Sequence, residues 1–188
     1  EMLVDFLSSD KLIVAGKVLE EDYKIYQLVC NNNDLVAREI IKTEASSLVC
    51  LNDKTIFYSD SGGSYFYDLT DDSKVKYTAL GNNVLVKVSS DKKYIGAMVG
   101  SKFLVVDYPA VKASGVEKHY LIDRVSSIDE VGFSGDSILV NQAKTCQSDG
   151  DCGEILRINL FGSGVWKIED RVQLKNVVVE KILGEIKF

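Results

Sequence analysis

The amino-acid sequence predicts an all-β fold in which a four-stranded antiparallel unit occurs four times. Three observations lead to this prediction. Apolar residues stand in short runs of about 5 to 8 residues that lack helical periodicity. Asn, Asp, Ser and Gly separate the runs, as expected of strands joined by turns. The pattern of runs and turns then recurs about every 40 residues, which indicates an internal repeat.

Each copy begins with two strands joined by a tight polar turn that contains an aspartate. The short aspartate side chain accepts hydrogen bonds from the backbone of its own turn and tolerates unusual dihedral angles. The turn aspartates are Asp10, Asp53, Asp91 and Asp136. The predicted hairpins pair residues 3–7 with 11–15, 48–51 with 54–58, 84–88 with 92–97 and 131–133 with 137–140.

A third and a fourth strand complete each copy. The third strand is as apolar as the hairpin and is predicted at residues 23–29, 64–69, 102–108 and 154–160. The fourth strand carries more charge and is predicted at residues 35–42, 74–79, 118–123 and 164–174. A polar last strand fits the outer edge of a sheet, where side chains meet water.

Four strands in about 40 residues predict one blade of a β-propeller. The blades are placed at approximately residues 2–44, 46–80, 83–124 and 128–174 of a single 1–188 domain, with terminal strands at 177–188. An all-β sandwich is the alternative fold. Propellers close with about four to eight blades, so the chain forms either a small ring or a part of a larger one.

Two segments carry a resemblance to a known repeat. Phe66-Tyr67-Asp68-Leu69 and Val105-Val106-Asp107-Tyr108 resemble the position at which WD40 repeats carry a Trp-Asp dipeptide, with Asp68 and Asp107 matching the Asp and no Trp present. The Gly-His signature of those repeats is missing, since His119 is the only histidine. The chain thus resembles a divergent WD40-like β-propeller. This resemblance implies rings that commonly have seven blades, so a piece of a larger propeller stays an alternative beside the small four-bladed ring.

Charge and hydropathy exclude two classes of partner. The chain has 22 Lys and Arg against 28 Asp and Glu, a net charge of −6. It therefore lacks the clustered excess of cations that binding to nucleic acid or anionic lipid needs. No apolar run approaches the roughly 18 to 20 residues of a membrane span, so the sequence predicts no membrane insertion.

The four cysteines fall into two pairs with different predicted states. Cys30 and Cys50 each lie in an apolar strand-like run, which favours buried free thiols. Cys146 and Cys152 flank a polar loop that can bring the two sulfurs together as a local disulfide in an oxidising compartment. No N-x-Ser/Thr acceptor occurs. The compartment stays open, and an intracellular one is favoured.

The same polar loop holds candidate ligands for a metal ion. Asp149, Asp151 and Glu154 supply oxygen donors dense enough for Ca²⁺. Their spacing does not match an EF-hand loop, and Asp-Gly clusters also form hairpin turns. The turn is the favoured interpretation, and no cofactor is predicted otherwise.

Catalytic motifs find little support in the sequence. The Ser-x-x-Lys motifs at residues 8–11 and 89–92 both fall on the repeated hairpin turn. No phosphate-binding or dinucleotide-binding glycine motif is present. The sequence therefore predicts a protein that is not an enzyme.

Loops are where a rigid scaffold places its specific contacts. The stretch 109–116 is the most irregular link between predicted strands, and Val111, Lys112 and Ser114 within it are candidate binding residues. Trp166, the only tryptophan, is a further candidate anchor. Residues 60–64 and 161–164 are predicted as flexible connections.

The predicted function is a non-catalytic protein–protein interaction scaffold, acting as a subunit of a complex. Its partner is another protein, with two special cases: a chain that completes the propeller, or a second copy that forms a homo-oligomer. The alternative is an exported propeller with a calcium-dependent or hydrolytic site near residues 146–154.

Overall fold

The structure is a computed structural model that describes residues 2–17, 21–31, 34–114, 117, 119–122, 130–134, 137–142, 150–161 and 165–175. Within these residues, sixteen strands form four antiparallel sheets of four strands each. Every sheet is a meander, in which strands that follow one another in the chain are hydrogen-bonded neighbours. This arrangement confirms the predicted fold class. The predicted terminal strands at 177–188 lie outside the described residues.

The strands are numbered in chain order. Sheet 1 contains β1 (Leu3–Ser8), β2 (Lys11–Gly16), β3 (Lys24–Asn31) and β4 (Asp34–Lys42). Sheet 2 contains β5 (Ser47–Cys50), β6 (Thr55–Asp60), β7 (Gly63–Asp68) and β8 (Lys74–Lys76), followed by a 3₁₀ helix (Thr78–Leu80). Sheet 3 contains β9 (Val86–Val88), β10 (Tyr94–Val99), β11 (Lys102–Asp107) and β12 (His119–Ile122), with helix α1 (Tyr108–Ser114) before β12. Sheet 4 contains β13 (Glu130–Ser134), β14 (Ser137–Asn141), β15 (Asp151–Phe161) and β16 (Val165–Lys175).

The chain divides into two compact units, a first unit of residues 1–85 and a second unit of residues 86–188. Sheets 1 and 2 make up the first unit. Their facing sides form one core, composed of Ile13, Ala15, Ile25, Cys50, Ile56, Tyr58, Tyr67 and Leu69. Each of the fully buried isoleucines Ile13, Ile25 and Ile56 contributes roughly 1.5–3 kcal/mol to stability.

The first strands of the two sheets lie beside each other in the first unit. Strand β1 is the neighbour of β5, and the Asp5 carboxylate accepts a hydrogen bond of 2.7 Å from the Cys50 amide. Blades that radiate from one line bring their first strands together in this way. The position of β1 against β5 therefore agrees with a propeller arrangement of these two sheets.

Sheets 3 and 4 of the second unit pack through a second apolar core, and β9 lies beside β13. The core residues are Phe103, Val105, Tyr120, Ile122, Val131, Ile138, Val140, Leu156, Ile158 and Leu160. This unit repeats the relation seen in the first one, since again the first strands of successive sheets are neighbours.

The hairpin turns show why aspartate marks the repeat. Asp10 accepts a 2.7 Å hydrogen bond from the Ser8 hydroxyl. Asp91 accepts hydrogen bonds from the Ser89 hydroxyl at 2.7 Å and the Lys93 amide at 3.1 Å. In sheet 2 the amide oxygen of Asn52, not the predicted Asp53, accepts from the turn backbone. Asp136 lies outside the described residues.

The stretch predicted as an irregular loop at 109–116 begins with a helix instead. Asp107 caps this helix, because its carboxylate accepts a 3.1 Å hydrogen bond from the Ala110 amide. Pro109 fits the first turn, where a residue without an amide hydrogen leaves no bond unmade. The loop prediction is therefore wrong for residues 109–114, which belong to helix α1, and residues 115 and 116 lie outside the described residues.

A second correction concerns Cys30. The prediction of buried thiols is confirmed for Cys50 and wrong for Cys30, which is exposed. Cys30 stands near the end of β3, beyond the part of the strand that the core covers. In the described part of the chain, no helix has the length and apolar character that a membrane crossing needs.

Candidate functional site

A cavity of about 470 Å³ opens in the first unit. It lies at the strand ends where β2 connects to β3, β4 to β5, β6 to β7 and β8 to β9. Its lining is mixed, with apolar Leu3, Ala15, Gly16, Ala45 and Leu85 beside polar Tyr23, Glu44, Ser46, Ser61 and Asn83. The volume falls in the range of roughly 300–1,000 Å³ that is typical of small-ligand pockets. A concave surface of this kind can receive a side chain or a small molecule.

A buried serine holds two of the connections that line the cavity. Ser59 is fully buried in β6, and its carbonyl oxygen accepts a 2.8 Å hydrogen bond from the Ser46 amide. Its hydroxyl oxygen accepts a 3.0 Å hydrogen bond from the Val84 amide. Ser47 completes the arrangement by donating its hydroxyl to the Val84 carbonyl at 2.6 Å. The links before β5 and before β9 are thereby fixed to sheet 2.

Asp60 ties together the remaining side of the cavity. Its carboxylate accepts hydrogen bonds from the Thr43 hydroxyl at 2.6 Å and from the amides of Gly62 and Gly63 at 2.8 and 3.1 Å. Its carbonyl oxygen accepts from the Asn83 amide at 2.9 Å. The connection at 60–64, predicted to be flexible, is thus a tight turn that Asp60 braces from within.

Glycine is required at one position of this turn. Gly63 has a φ of +149°, which L side chains rarely adopt. A Cβ atom there would also lie 2.7 Å from Cε of Lys76. Lys76 in turn donates to the Gly62 carbonyl at 2.7 Å, so the turn and β8 are packed against each other.

Glu44 supplies the negative charge of the cavity lining. Within the described residues, no cation or hydrogen-bond donor contacts its exposed carboxylate. Two other acids of the first unit are paired, because Lys24 contacts Glu21 at 3.2 Å and Glu39 at 3.0 Å. The hydrogen bond from Lys24 to Glu39, and then that to Glu21, raise the pKa of Lys24. Glu44 therefore carries a charge at the cavity that no described residue of the chain compensates.

The acidic excess of the chain belongs to the unit that holds the cavity. Residues 1–85 contain 14 Asp and Glu against 8 Lys and Arg, which accounts for the whole net charge of −6. Residues 86–188 contain 14 of each kind and are neutral overall. The field around the cavity thus favours cationic ligands.

The candidate binding residues predicted from the sequence lie in the second unit. Val111 is buried, at 8% exposure, whereas Lys112 and Ser114 of the same helix are exposed. The Ser114 hydroxyl donates to the Ala110 carbonyl at 2.7 Å. Trp166 lies in β16 opposite Leu160, and its side chain is outside the described residues. A binding role for these four residues stays a prediction.

The predicted calcium and disulfide residues fall largely outside the described residues. Cys146 and Asp149 lie outside them, and only the backbone is described for Asp151 and Cys152, at the start of β15. The Glu154 carboxylate contacts Arg171 at 2.8 Å. Among the described side chains, no three His, Cys, Asp or Glu residues converge as metal ligands. The calcium site and the disulfide stay predictions.

No motif or composition signal in the sequence points to the cavity. Its lining comes from β1, β2 and four separate connections spread over residues 3–85. The related sequence feature is the polar character of the connections at 43–47 and 60–64. In a four-stranded meander these two connections lie at the same end of the strands. Sequence reasoning instead selected the connection between the third and fourth strands of sheet 3.

Comparison with known proteins supports the fold. No protein-family model and no curated protein matches the chain. The crystal structure of TolB from Acinetobacter baumannii, a β-propeller protein, matches with a TM-score of 0.50 and 16% identity. The match covers 94% of this chain and 44% of the TolB chain. This chain therefore spans less than half of the length of TolB, and the likeness is one of propeller-type fold alone.

Proposed function

We propose that this chain is a non-catalytic protein-interaction module whose contact site is the cavity of the first unit. The observation that carries the proposal is that the cavity is held open by internal hydrogen bonds. Ser59 fixes the links before β5 and β9, and Asp60 fixes the turn between β6 and β7. A site that is already ordered avoids much of the entropy cost of binding.

The polar groups of the cavity suit recognition better than group transfer. The Ser46 hydroxyl donates to the Ser59 carbonyl at 3.1 Å, a bond that orients it without removing its proton. An activated serine needs a base within hydrogen-bond reach, and a carbonyl oxygen does not act as one. The exposed Leu85 adds apolar surface at the rim, with 78% of its area in contact with solvent.

Site-specific photo-crosslinking in cells that produce the protein tests the proposal. Benzoylphenylalanine replaces Leu85 at the cavity rim in one variant and Val75 in the matched control. Val75 is also exposed, at 57%, but it lies on β8 and does not line the cavity. We expect a discrete protein adduct from position 85 and none from position 75.

A third variant connects the adduct to the cavity. Gly16→Leu fills the cavity, and the Cβ atom at this position meets Met2 only at an ordinary distance of 3.5 Å, so the fold should tolerate it. We expect this substitution to remove the adduct at position 85. The proposal is overturned if position 85 gives no adduct, if both positions give the same adducts, or if Gly16→Leu leaves the adduct unchanged.

A further inference from the structure

We infer that the cavity of the first unit receives a lysine or arginine side chain of the protein partner, with its cationic group at Glu44. This inference rests on the proposed function and states the chemistry that the partner must present. It combines the shape of the cavity, the Glu44 carboxylate, which no other described residue contacts, and the charge of the surrounding unit.

The apolar part of the lining fits the stem of a long basic side chain. Leu3, Ala15 and Leu85 provide apolar surface inside and at the mouth of the cavity. Lysine and arginine carry three or four methylene-length segments that pack on such surface while the charged end stays polar. A short polar side chain would leave this part of the lining without contact.

The polar part of the lining fits the charged end. Glu44 supplies a carboxylate, and Tyr23, Ser61 and Asn83 supply further oxygen atoms around the same cavity. An ammonium group has three donors and a guanidinium group has five, so either can use several acceptors at once. Since Lys24 is already held by Glu21 and Glu39, it does not compete for Glu44.

The charge of the first unit excludes the opposite kind of ligand. An anionic group in the cavity would lie beside Glu44 and within a unit of excess negative charge. A neutral apolar group would leave the Glu44 carboxylate without any function in binding. A cation is attracted both by the Glu44 carboxylate and by the excess negative charge of the first unit. This excess charge also raises the rate at which the cation associates.

Nuclear magnetic resonance titration of the full chain with four small probes tests the inference. The probes are N-acetyl-lysine-N-methylamide, its arginine and norleucine analogues, and n-butylamine. Norleucine keeps the methylene stem of lysine and lacks the charge. We expect the lysine and arginine probes to shift the amide signals of Ala45, Ser46 and Asn83. The dissociation constant of the norleucine probe should be at least fivefold higher than that of the lysine probe.

Two charge-neutralising variants separate the local carboxylate from the general field. Glu44→Gln removes the charge at the cavity, and Asp34→Asn removes one charge from the same sheet at the opposite strand end. We expect Glu44→Gln to lower the affinity for the lysine probe at least fivefold, whereas Asp34→Asn should change this affinity less than twofold. The amide spectrum of each variant reports that it is folded.

Four results would overturn the inference. They are equal binding of the norleucine and lysine probes, equal effects of the two variants, tighter binding of n-butylamine than of the lysine probe, and no shift of the cavity amides with any probe. The crosslinking result distinguishes the two proposals. A rim adduct without Glu44-dependent binding of lysine defeats the inference alone, and lysine binding without an adduct defeats the proposed function.

Discussion

Tyr58 and Tyr67 of sheet 2 both belong to the core of the first unit but differ in one hydrogen bond. The Tyr67 hydroxyl donates to the Asp72 carboxylate at 2.8 Å. The Tyr58 hydroxyl is fully buried and has no hydrogen-bond partner in the part of the chain that the structure describes. Such a buried polar group loses its hydrogen bonds to water on folding and forms none in their place, so it lowers the free energy of unfolding.

Replacing each tyrosine by phenylalanine should therefore change the free energy of unfolding differently at the two positions. We expect Tyr58→Phe to leave the free energy of unfolding unchanged or to raise it by up to about 1 kcal/mol, since it removes only the unpaired hydroxyl. Tyr67→Phe should lower it by about 1 kcal/mol, through loss of the bond to Asp72. Urea unfolding measures both values, and a larger loss from Tyr58→Phe than from Tyr67→Phe would contradict the account.

The carboxyl group of Asp91 makes the stability contribution of one repeat turn depend on pH. Partial burial raises the pKa of its carboxyl, but the hydrogen bonds from Lys93 and Ser89 outweigh burial and hold the pKa below its ordinary value of 3.8. Folding thus favours the ionised carboxylate. Its contribution to stability is complete above the ordinary value and is lost as the pH falls through the lowered pKa.

Between pH 5 and 2, we expect the free energy of unfolding to fall less steeply in Asp91→Asn than in the unaltered chain, because asparagine cannot be protonated there. A ¹³C titration of the Asp91 carboxyl should give a midpoint below 3.8. A midpoint at or above 3.8 would show that the turn does not stabilise the charged form.

At the scale of single residues, the sequence predicted the role of Asp10 and Asp91 because the chemistry is local. A short acceptor beside a turn finds backbone amides within three residues of itself. It did not predict that Asn52 would take this role in place of Asp53. Both side chains offer the same acceptor oxygen, so the choice depends on the backbone angles of the finished turn.

Among the elements, strand β10 depends on a glycine for its packing. A Cβ atom at Gly96 would lie 2.3 Å from Cζ of Phe103 and 3.1 Å from Cζ of Phe133. Phe103 is 2% exposed and belongs to the core of the second unit. A methyl group at this position therefore forces the buried phenylalanine ring to shift.

Gly96→Ala should lower the free energy of unfolding by roughly 1–3 kcal/mol, the usual cost of overpacking a core. The matched control is Gly16→Ala, another strand glycine, at which the nearest atom to a new Cβ is 3.5 Å away. We expect the control to change stability by less than about 0.5 kcal/mol. Thermal or urea unfolding measures both, and equal effects would refute the packing argument.

The strands were predictable as elements, whereas helix α1 was not. Alternating apolar runs between polar turns specify a strand within five or six residues. A helix of seven residues makes about two turns, which is too short for an apolar periodicity to stand out. The signal that remains is Asp107 followed by Pro109, a cap and a first-turn residue, which is also compatible with a turn.

At the scale of the whole molecule, the repeat determines how sheets form but not where a site arises. The four copies predict the four sheets because each meander is complete within about 40 residues. The cavity is composed of residues between Leu3 and Leu85 that meet only when sheets 1 and 2 pack together. Its partner chemistry depends on that packing and on the separation of charge between the two units.

A partner that supplies further sheets stays a prediction of the sequence. The TolB chain extends well beyond the part that this chain matches. Apolar side chains in β1 and just before it are exposed, among them Met2 at 68% and Phe6 at 64%. These residues alternate with the ones that face the core, as expected of a strand with one face uncovered.

The proposed function makes the claim that the cavity is ordered before any partner arrives, and amide hydrogen exchange of the isolated chain measures this order. The Ser46, Asn83 and Val84 amides donate to sheet 2, whereas the Phe57 amide lies in the fully buried centre of that sheet. We expect the three cavity amides to exchange within about tenfold of Phe57, because they open only when the sheet does. Exchange at the rate of an unprotected peptide would contradict the claim and the rigid presentation that depends on it.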